Sequence, residues 1–270
     1  MQQKIKRILK IIVIVFLVLT AIAYWTEKGF NLVGKNNISS DNCSIDNGIA
    51  TININGEIVS YILKPDSNSS SQAPQDQTSA DNVVACINKV AGNDTTKGLI
   101  LRIDSYGGSP EASEEIANAI KGLNKPSVAV VRGSADSGAY LIASATDRIF
   151  ASDWSDVGSI GITGSYTDNY QKNIKDGITF NQLSVGKFKD TENPDKPLTA
   201  DEKAVIMRDL NIVYQDFIQK VADNRKLDVS KVKQLADGSS VLGVQAKADG
   251  LIDEIGDINS ATVWLKSKIK

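Results

Sequence analysis

Twice in succession the chain runs an apolar segment of strand length into a glycine-bearing turn and straight on into a helix. The first segment, Gly98–Asp104, reads GLILRID and ends in Ser105-Tyr106-Gly107-Gly108. Ser109-Pro110 then opens a helix, with serine at the cap and proline in the first turn, and Ile116, Ile120 and Leu123 fall on one face of it. The second segment, Pro126–Val131, reads PSVAVV, passes through the turn SADSG at 134–138 and continues into the helix-forming run Ala139–Ala145. Strands that alternate with helices predict an α/β domain with a mostly parallel sheet and surrounding helices.

Each of the two turns has two readings. A Gly-Gly pair between strand and helix is commonly just a tight turn, but it also lets backbone approach a ligand closely. Ser137, at the start of its helix, can be an N-cap. It can equally be a reactive hydroxyl set beside unpaired backbone N–H groups and the positive end of the helix dipole, a place suited to an oxyanion.

The remaining elements read as follows. Gly48–Leu63 (GIATININGEIVSYIL) alternates and is β-branched, predicting two strands around a turn near Asn55-Gly56. Residues 64–82, rich in Ser, Gln, Asp and Pro, predict a mobile loop. Val83–Val90 predicts a short helix, Arg148–Ala151 a strand, Tyr170–Lys175 a helix and Ile178–Val185 a strand. A polar loop follows at 186–197. The longest helix is expected at Thr199–Asn224, opened by a Thr199/Glu202 capping box and buried along Ile206, Leu210, Val213, Phe217 and Val221. A strand is expected near Val241.

Ahead of this domain, expected at 48–270, lies a polar tether at 26–47 and an N-terminal segment at 1–25. That segment carries Lys4, Lys6, Arg7 and Lys10 before the apolar run IIVIVFLVLTAIAYW. With Lys10 snorkelling, Ile8–Trp25 gives 18 residues, against the ~20 of a usual spanning helix. The cationic flank and the interfacial Tyr24 and Trp25 predict an uncleaved single-pass anchor, N-terminus cytoplasmic and the rest translocated. Ala21-x-Ala23 admits a cleaved signal peptide instead, and either reading exports the domain.

The chain contains no histidine, which excludes a Ser-His-Asp or Cys-His triad and makes a His-rich zinc site unattainable from this chain. A hydrolase built on it needs Lys, Asp, Glu or a terminal amine as general base. A net charge of −2 with dispersed Lys and Arg gives no nucleic-acid face. Cys43 and Cys86 are too few for a metal cluster; spacing leaves open whether they pair outside the cytoplasm or stay free.

With these segments in place, the chain resembles the signal peptide peptidase A (protease IV) family of membrane-anchored Ser-Lys serine peptidases, in its short single-repeat form. The matching segments are LRIDSYGGSPEASEEI, SADSGAYLIASATDRIFA, DVGSIGI, VGKFKD and VQAKADGLIDEIG, in that order from about Ile49 onward. The resemblance implies a ClpP/crotonase-like fold, Ser137 as nucleophile, Lys189 as general base and Ser159 as the hydroxyl that orients the lysine. It implies an oxyanion hole from the backbone N–H groups of Gly108 and Gly138, with no cofactor or metal. It further implies homo-oligomers, and cleavage of remnant signal peptides and other membrane-associated or unfolded polypeptides added as a strand to an exposed sheet edge. Asp136, Ala139 and Tyr106 depart from the family's usual Ala, Gly and Pro, and Asp136 bears on the pKa of Lys189. Lys187 is the rival for the lysine role. Alternative readings of the fold are a non-catalytic exported scaffold, an acyl-CoA enzyme of the crotonase type, and a Ser-Lys protease acting on stomatin-like partners.

Overall fold

The computed structural model describes residues 43–62 and 76–269. The expected anchor at 1–25, most of the tether and most of the expected loop lie outside the described residues. Among the described residues no helix is long and apolar enough to cross a membrane.

The sheet runs β1 (Cys43–Asp46), β2 (Ile49–Val59), β4 (Gly98–Gly108), β5 (Ser127–Asp136), β6 (Arg148–Ala151), β9 (Glu254–Ile255). The short β3 (Gln77–Ser79) pairs with β2, and β7 (Asp156–Gly158) bridges β5 to β8 (Ser240–Leu242). Every pairing along β2-β4-β5-β6-β9 is parallel, and β1 is antiparallel to β2. The mostly parallel α/β sheet expected from the alternation is therefore present.

Both faces of the sheet are covered, which is why the central strands read as unbroken apolar runs. Leu99, Leu101 and Ile103 point into the main core with α1 (Ala80–Gly92), α2 (Pro110–Lys121) and α3 (Gly138–Ser144). Ile100, Val128 and Val130 point the other way, against Ala261 and Leu265 of α8 (Ile258–Lys268). Period-two side-chain direction sorts one strand's residues into two cores.

The expected pair of strands around Asn55-Gly56 is one strand. Gly56 (φ +63°) forms a bulge where the register against β4 shifts between Asn55 and Glu57. The hairpin turn is the other Asn-Gly pair, Asn47-Gly48, both at positive φ, joining β1 to β2. Among the described residues the sheet thus begins at Cys43, inside the expected tether, and a Cys43–Cys86 disulfide fastens β1 to α1. Residues 77–82, placed in the expected loop, belong to β3 and α1.

Three helices follow expectation closely: α2, capped by Ser109 with Pro110 at its start; α4 (Tyr170–Lys175); and α5 (Ala200–Arg225), with the Thr199/Glu202 capping box formed. The core stripe of α5 is shorter than its pattern suggests. Phe217 and Val221 are buried, whereas Val213 is exposed and Ile206 and Leu210 are half-buried. Only the C-terminal half of α5 packs on the body, leaving its first half as a projecting wall. Residues 178–185, expected as a strand, form no regular structure, and Leu183 and Val185 are 98% and 97% exposed. They have apolar alternation but no sheet edge to join, and alternation alone does not make a strand without a partner. The short α6 (Val229–Leu235) and α7 (Gly243–Asp249) complete the fold.

Candidate functional site

Ser137 sits between β5 and α3 with φ 52° and ψ −124°, a conformation L-residues avoid. Neighbours impose it. Ser137 N donates to Gly158 O at 2.8 Å, and Ser137 O accepts from Leu141 N at 3.1 Å. The Ser137 side chain makes no cap hydrogen bond. The capping reading therefore fails, and the hydroxyl is left to face the cavity that Ser137 lines.

The helix that carries this elbow is pinned from below. Tyr140 is fully buried and its hydroxyl donates to Leu251 O at 2.9 Å. Burial raises the phenol's pKa above its ordinary value.

The Gly-Gly turn lies directly against the elbow. A Cβ on Gly107 (φ +98°) would stand 2.9 Å from Gly138 N and 3.0 Å from Ser137 Cβ. A Cβ on Gly108 would collide with Ile58 O at 2.1 Å, and one on Gly138 with Ser113 Oγ at 2.2 Å. Close approach requires all three glycines, and positive φ requires Gly107 and Gly108 as well. Ser109 N makes the ladder bond to Ile58 O at 2.8 Å. Successive strand amides point to opposite sides, so Gly108 N–H faces away from β2, toward Gly138. The position of a Cβ on Gly138 is 3.7 Å from Gly108 N. The Gly138 amide is in the first turn of α3, where helix geometry supplies no partner. The Gly108 and Gly138 amides thus lie close to each other and to Ser137, in the wall of one cavity.

Ser159 lines the same cavity at φ 47°, held by Ser159 N to Ser239 O and by its Oγ donating to Gly238 O, both 2.9 Å. With its proton given to Gly238, the Ser159 oxygen can only accept from an incoming group, as an ammonium requires.

Asp136 is 6% exposed, with Oδ1 lacking a hydrogen-bond partner, and it is not among the residues that line the cavity. Burial, and then the nearby Asp156 charge, push its carboxyl up to about 6.

Ser137, Ser159, Gly108 and Gly138 come together; Lys189 does not join them. It is exposed in the turn that follows Gly186, with its N donating to Gly186 O at 3.1 Å, and it is not part of the cavity wall. Lys187, the rival, is a surface charge paired with Asp201 at 2.6 Å and lying over the Phe188 ring.

The lysine that does line the cavity is Lys220, which the sequence reading missed. Its signal was the i,i+4 pair with Asp216 on α5. Lys220 Nζ bonds Asp216 and also lies 3.1 Å from Glu114. Burial opposes its charge, but the bonds to Asp216 and Glu114 outweigh that and raise its pKa, the wrong direction for a general base.

The cavity is an open cleft of about 960 Å³. Its floor is the elbow and the Gly-Gly turn, and α5, with Met207, Leu210, Tyr214 and Phe217, forms one wall.

Residues 119–270, more than half of the chain, match the family model for peptidase family S49, and residues 57–152 match that for Clp protease. Among curated proteins, "Putative protease MJ0651" of Methanocaldococcus jannaschii is 35% identical over 185 residues. That alignment covers 68% of this chain and 60% of the relative. "Putative signal peptide peptidase SppA" of Enterococcus faecium is 32% identical over 82% of this chain and 64% of its own length. "Protease 4" of Haemophilus influenzae is 29% identical over 81% of this chain and 34% of its own. The chain thus spans less than two thirds of the length of each of these relatives.

Proposed function

The chain belongs to peptidase family S49, and from that we propose that it is a serine endopeptidase that works through a Ser137–Lys189 dyad. The observation that carries this reading is the strained elbow. A serine held at φ 52° with its hydroxyl unspent, beside two neighbouring glycine amides, is costly to fold and fits an acyl-transfer nucleophile.

In the proposed chemistry a neutral Lys189 amine takes the Ser137 proton as Oγ attacks a peptide carbonyl. The oxyanion is received by the N–H groups of Gly108 and Gly138, each worth on the order of 3 kcal/mol in measured holes. The ammonium then protonates the leaving amine, and the same lysine activates the water that releases the acyl group. Ser159 Oγ accepts from the ammonium and orients it.

Lys189 is exposed and outside the cavity wall of its own chain, while Leu183 and Val185 nearby are almost wholly uncovered. We therefore place dyad completion in a homo-oligomer. The segment bearing Lys189 buries these apolar residues against a second copy, and its amine meets that copy's Ser137.

The Cys43–Cys86 bridge fits an oxidising compartment, and the cationic-apolar N-terminal segment fits a single-pass anchor. A domain tethered outside the cytoplasm at the membrane surface would take remnant signal peptides and other membrane-associated or unfolded polypeptides, bound in extended form. The uncovered position of Lys189 also favours a second reading, a non-catalytic family member that acts as an exported scaffold.

Mixing separates the readings. Full-length Ser137→Ala and Lys189→Met are each expected to be inactive on a quenched fluorogenic peptide. After co-assembly in equal amounts, about a quarter of the sites in a ring pair an intact serine with a neighbour's intact lysine, so about a quarter of the activity returns. No recovery would place both residues in one chain, and an inactive wild type would favour the scaffold.

A further inference from the structure

Resting on the peptidase reading above, we propose that Asp136 is a positioning residue that sets the activity of the elbow: its neutral carboxyl leaves Ser137 in working geometry, and its ionised carboxylate damps the reaction.

Three segments that build the site meet at the backbone of residue 136. Asp136 ends β5, one residue before the elbow, and pairs with Gly158 on β7. Gly158 O is the acceptor for Ser137 N at 2.8 Å, and Ser159 follows it directly. The Gly-Gly turn packs on the same residue, since a Cβ on Gly107 would stand 2.9 Å from Asp136 O. A displacement of residue 136 therefore reaches the nucleophile, the turn that carries the Gly108 amide and the Ser159 segment together.

The side chain at this junction suits the fold only when it is neutral. It is buried, and its Oδ1 has no hydrogen-bond partner. Asp136 forms no ion pair among the described residues. The surrounding elements do not compensate its charge. Asp156 of β7, two residues before Gly158, adds a charge of the same sign. Asp104 of β4 is engaged by Ser134, whose N donates to Asp104 Oδ1 at 3.2 Å. On β8, Ser240 and Leu242 stand opposite Gly158 and Asp156, and neither is ionisable. Arg132, on the same strand as Asp136, is exposed, and α3 has no charged residue in its first turn.

Burial, and then Asp156, bring the carboxyl's titration up to about 6, where a modest change of pH changes its charge. A carboxylate formed there is drawn toward water and pulls on the junction. It also places negative charge beside the residue whose attack develops negative charge on the substrate oxygen. Both effects oppose acyl transfer, and the protonated carboxyl exerts neither.

The test compares full-length wild type with Asp136→Asn and Asp136→Ala, each assembled in mild detergent and checked for folding by circular dichroism. The rate of Ser137 labelling by a fluorophosphonate and kcat/KM on the fluorogenic peptide are measured from about pH 5 to pH 8. The ratio of variant to wild type cancels groups common to both. Normalised at pH 5, it should rise through a midpoint near 6 to about three- to tenfold at pH 8. Adding Asp156→Asn to both members of the pair should move that midpoint to lower pH. A packing role alone would change the rate by one factor at every pH. Labelling of Ser137 with a ratio that stays flat or falls between pH 5 and 8 overturns this proposal and leaves the peptidase reading standing. No label and no hydrolysis at any pH in all three folded proteins overturns the peptidase reading and this proposal with it.

Discussion

Asp136→Asn should stabilise the folded domain at alkaline pH, although it replaces a residue adjacent to the proposed nucleophile. The carboxyl is 6% exposed, has one oxygen without a partner and is pushed up to about 6 from its ordinary 3.8, first by burial and then by Asp156. A raised carboxylate pKa means the folded state holds the proton more tightly than the unfolded chain. Below about pH 3.8 both states are protonated and the group costs nothing. Between there and about 6 the unfolded chain gives up the proton while the folded state keeps it, so stability falls, and above 6 the full cost is present. Two units at 1.36 kcal/mol each put that cost on the order of 3 kcal/mol. Asn has the same shape and no charge, so the gap in unfolding free energy between variant and wild type should be only about 0.5 kcal/mol at pH 4. It should reach about 2–3 kcal/mol in the variant's favour at pH 8. Urea denaturation at both pH values measures this, and groups common to the two proteins cancel in the difference. Asp156→Asn should reproduce a smaller part of the effect. A gap that is the same at pH 4 and pH 8 would refute the reasoning.

Two further outcomes follow from packing and covalent geometry. Cys43→Ala opens the loop between residues 43 and 86, and should lower stability by about 3–4 kcal/mol on the loop-entropy estimate; adding a reductant to wild type should shift the urea midpoint by a similar amount. Gly138→Ala puts a Cβ 2.2 Å from Ser113 Oγ at the start of α3. It should displace the amide that receives the oxyanion and reduce kcat about 100-fold or more with a far smaller change in KM, measured on the fluorogenic peptide.

Much of the fold was legible because both relevant periodicities are plain in the chain. The apolar runs at 98–104 and 126–131 became neighbouring parallel strands, and Ser109-Pro110 and Thr199/Glu202 became the helix starts they suggest. The choice between two Asn-Gly pairs was not legible. Either pair suits a two-residue turn, and the decision rests on Thr78, far along the chain, which bonds both backbone groups of Asn55 and holds the bulge. Residues 178–185 show the converse failure: local alternation without a neighbouring edge. For α5, a stripe of five apolar residues could not reveal that only its second half meets the core, because that depends on where the body ends. Gly108, Gly138, Ser137 and Ser159 line one cavity, each in a turn whose place the neighbouring strands and helices set. Lys189 stays outside that cavity, in an exposed turn whose placement no local pattern of the sequence sets. Lys220, with Asp216 four residues before it, has the sequence signature of an ordinary helix-surface pair.

The central claim is that Ser137 is a nucleophile activated by Lys189, and covalent labelling tests it most directly. The full chain, assembled in mild detergent, is treated with a fluorophosphonate, and the adduct is located by peptide mass spectrometry in the wild type and in Lys189→Met. The account predicts an adduct on Ser137 in the wild type that is lost in the lysine variant. A folded, assembled protein that takes no label at Ser137, or labels equally well without Lys189, would contradict it.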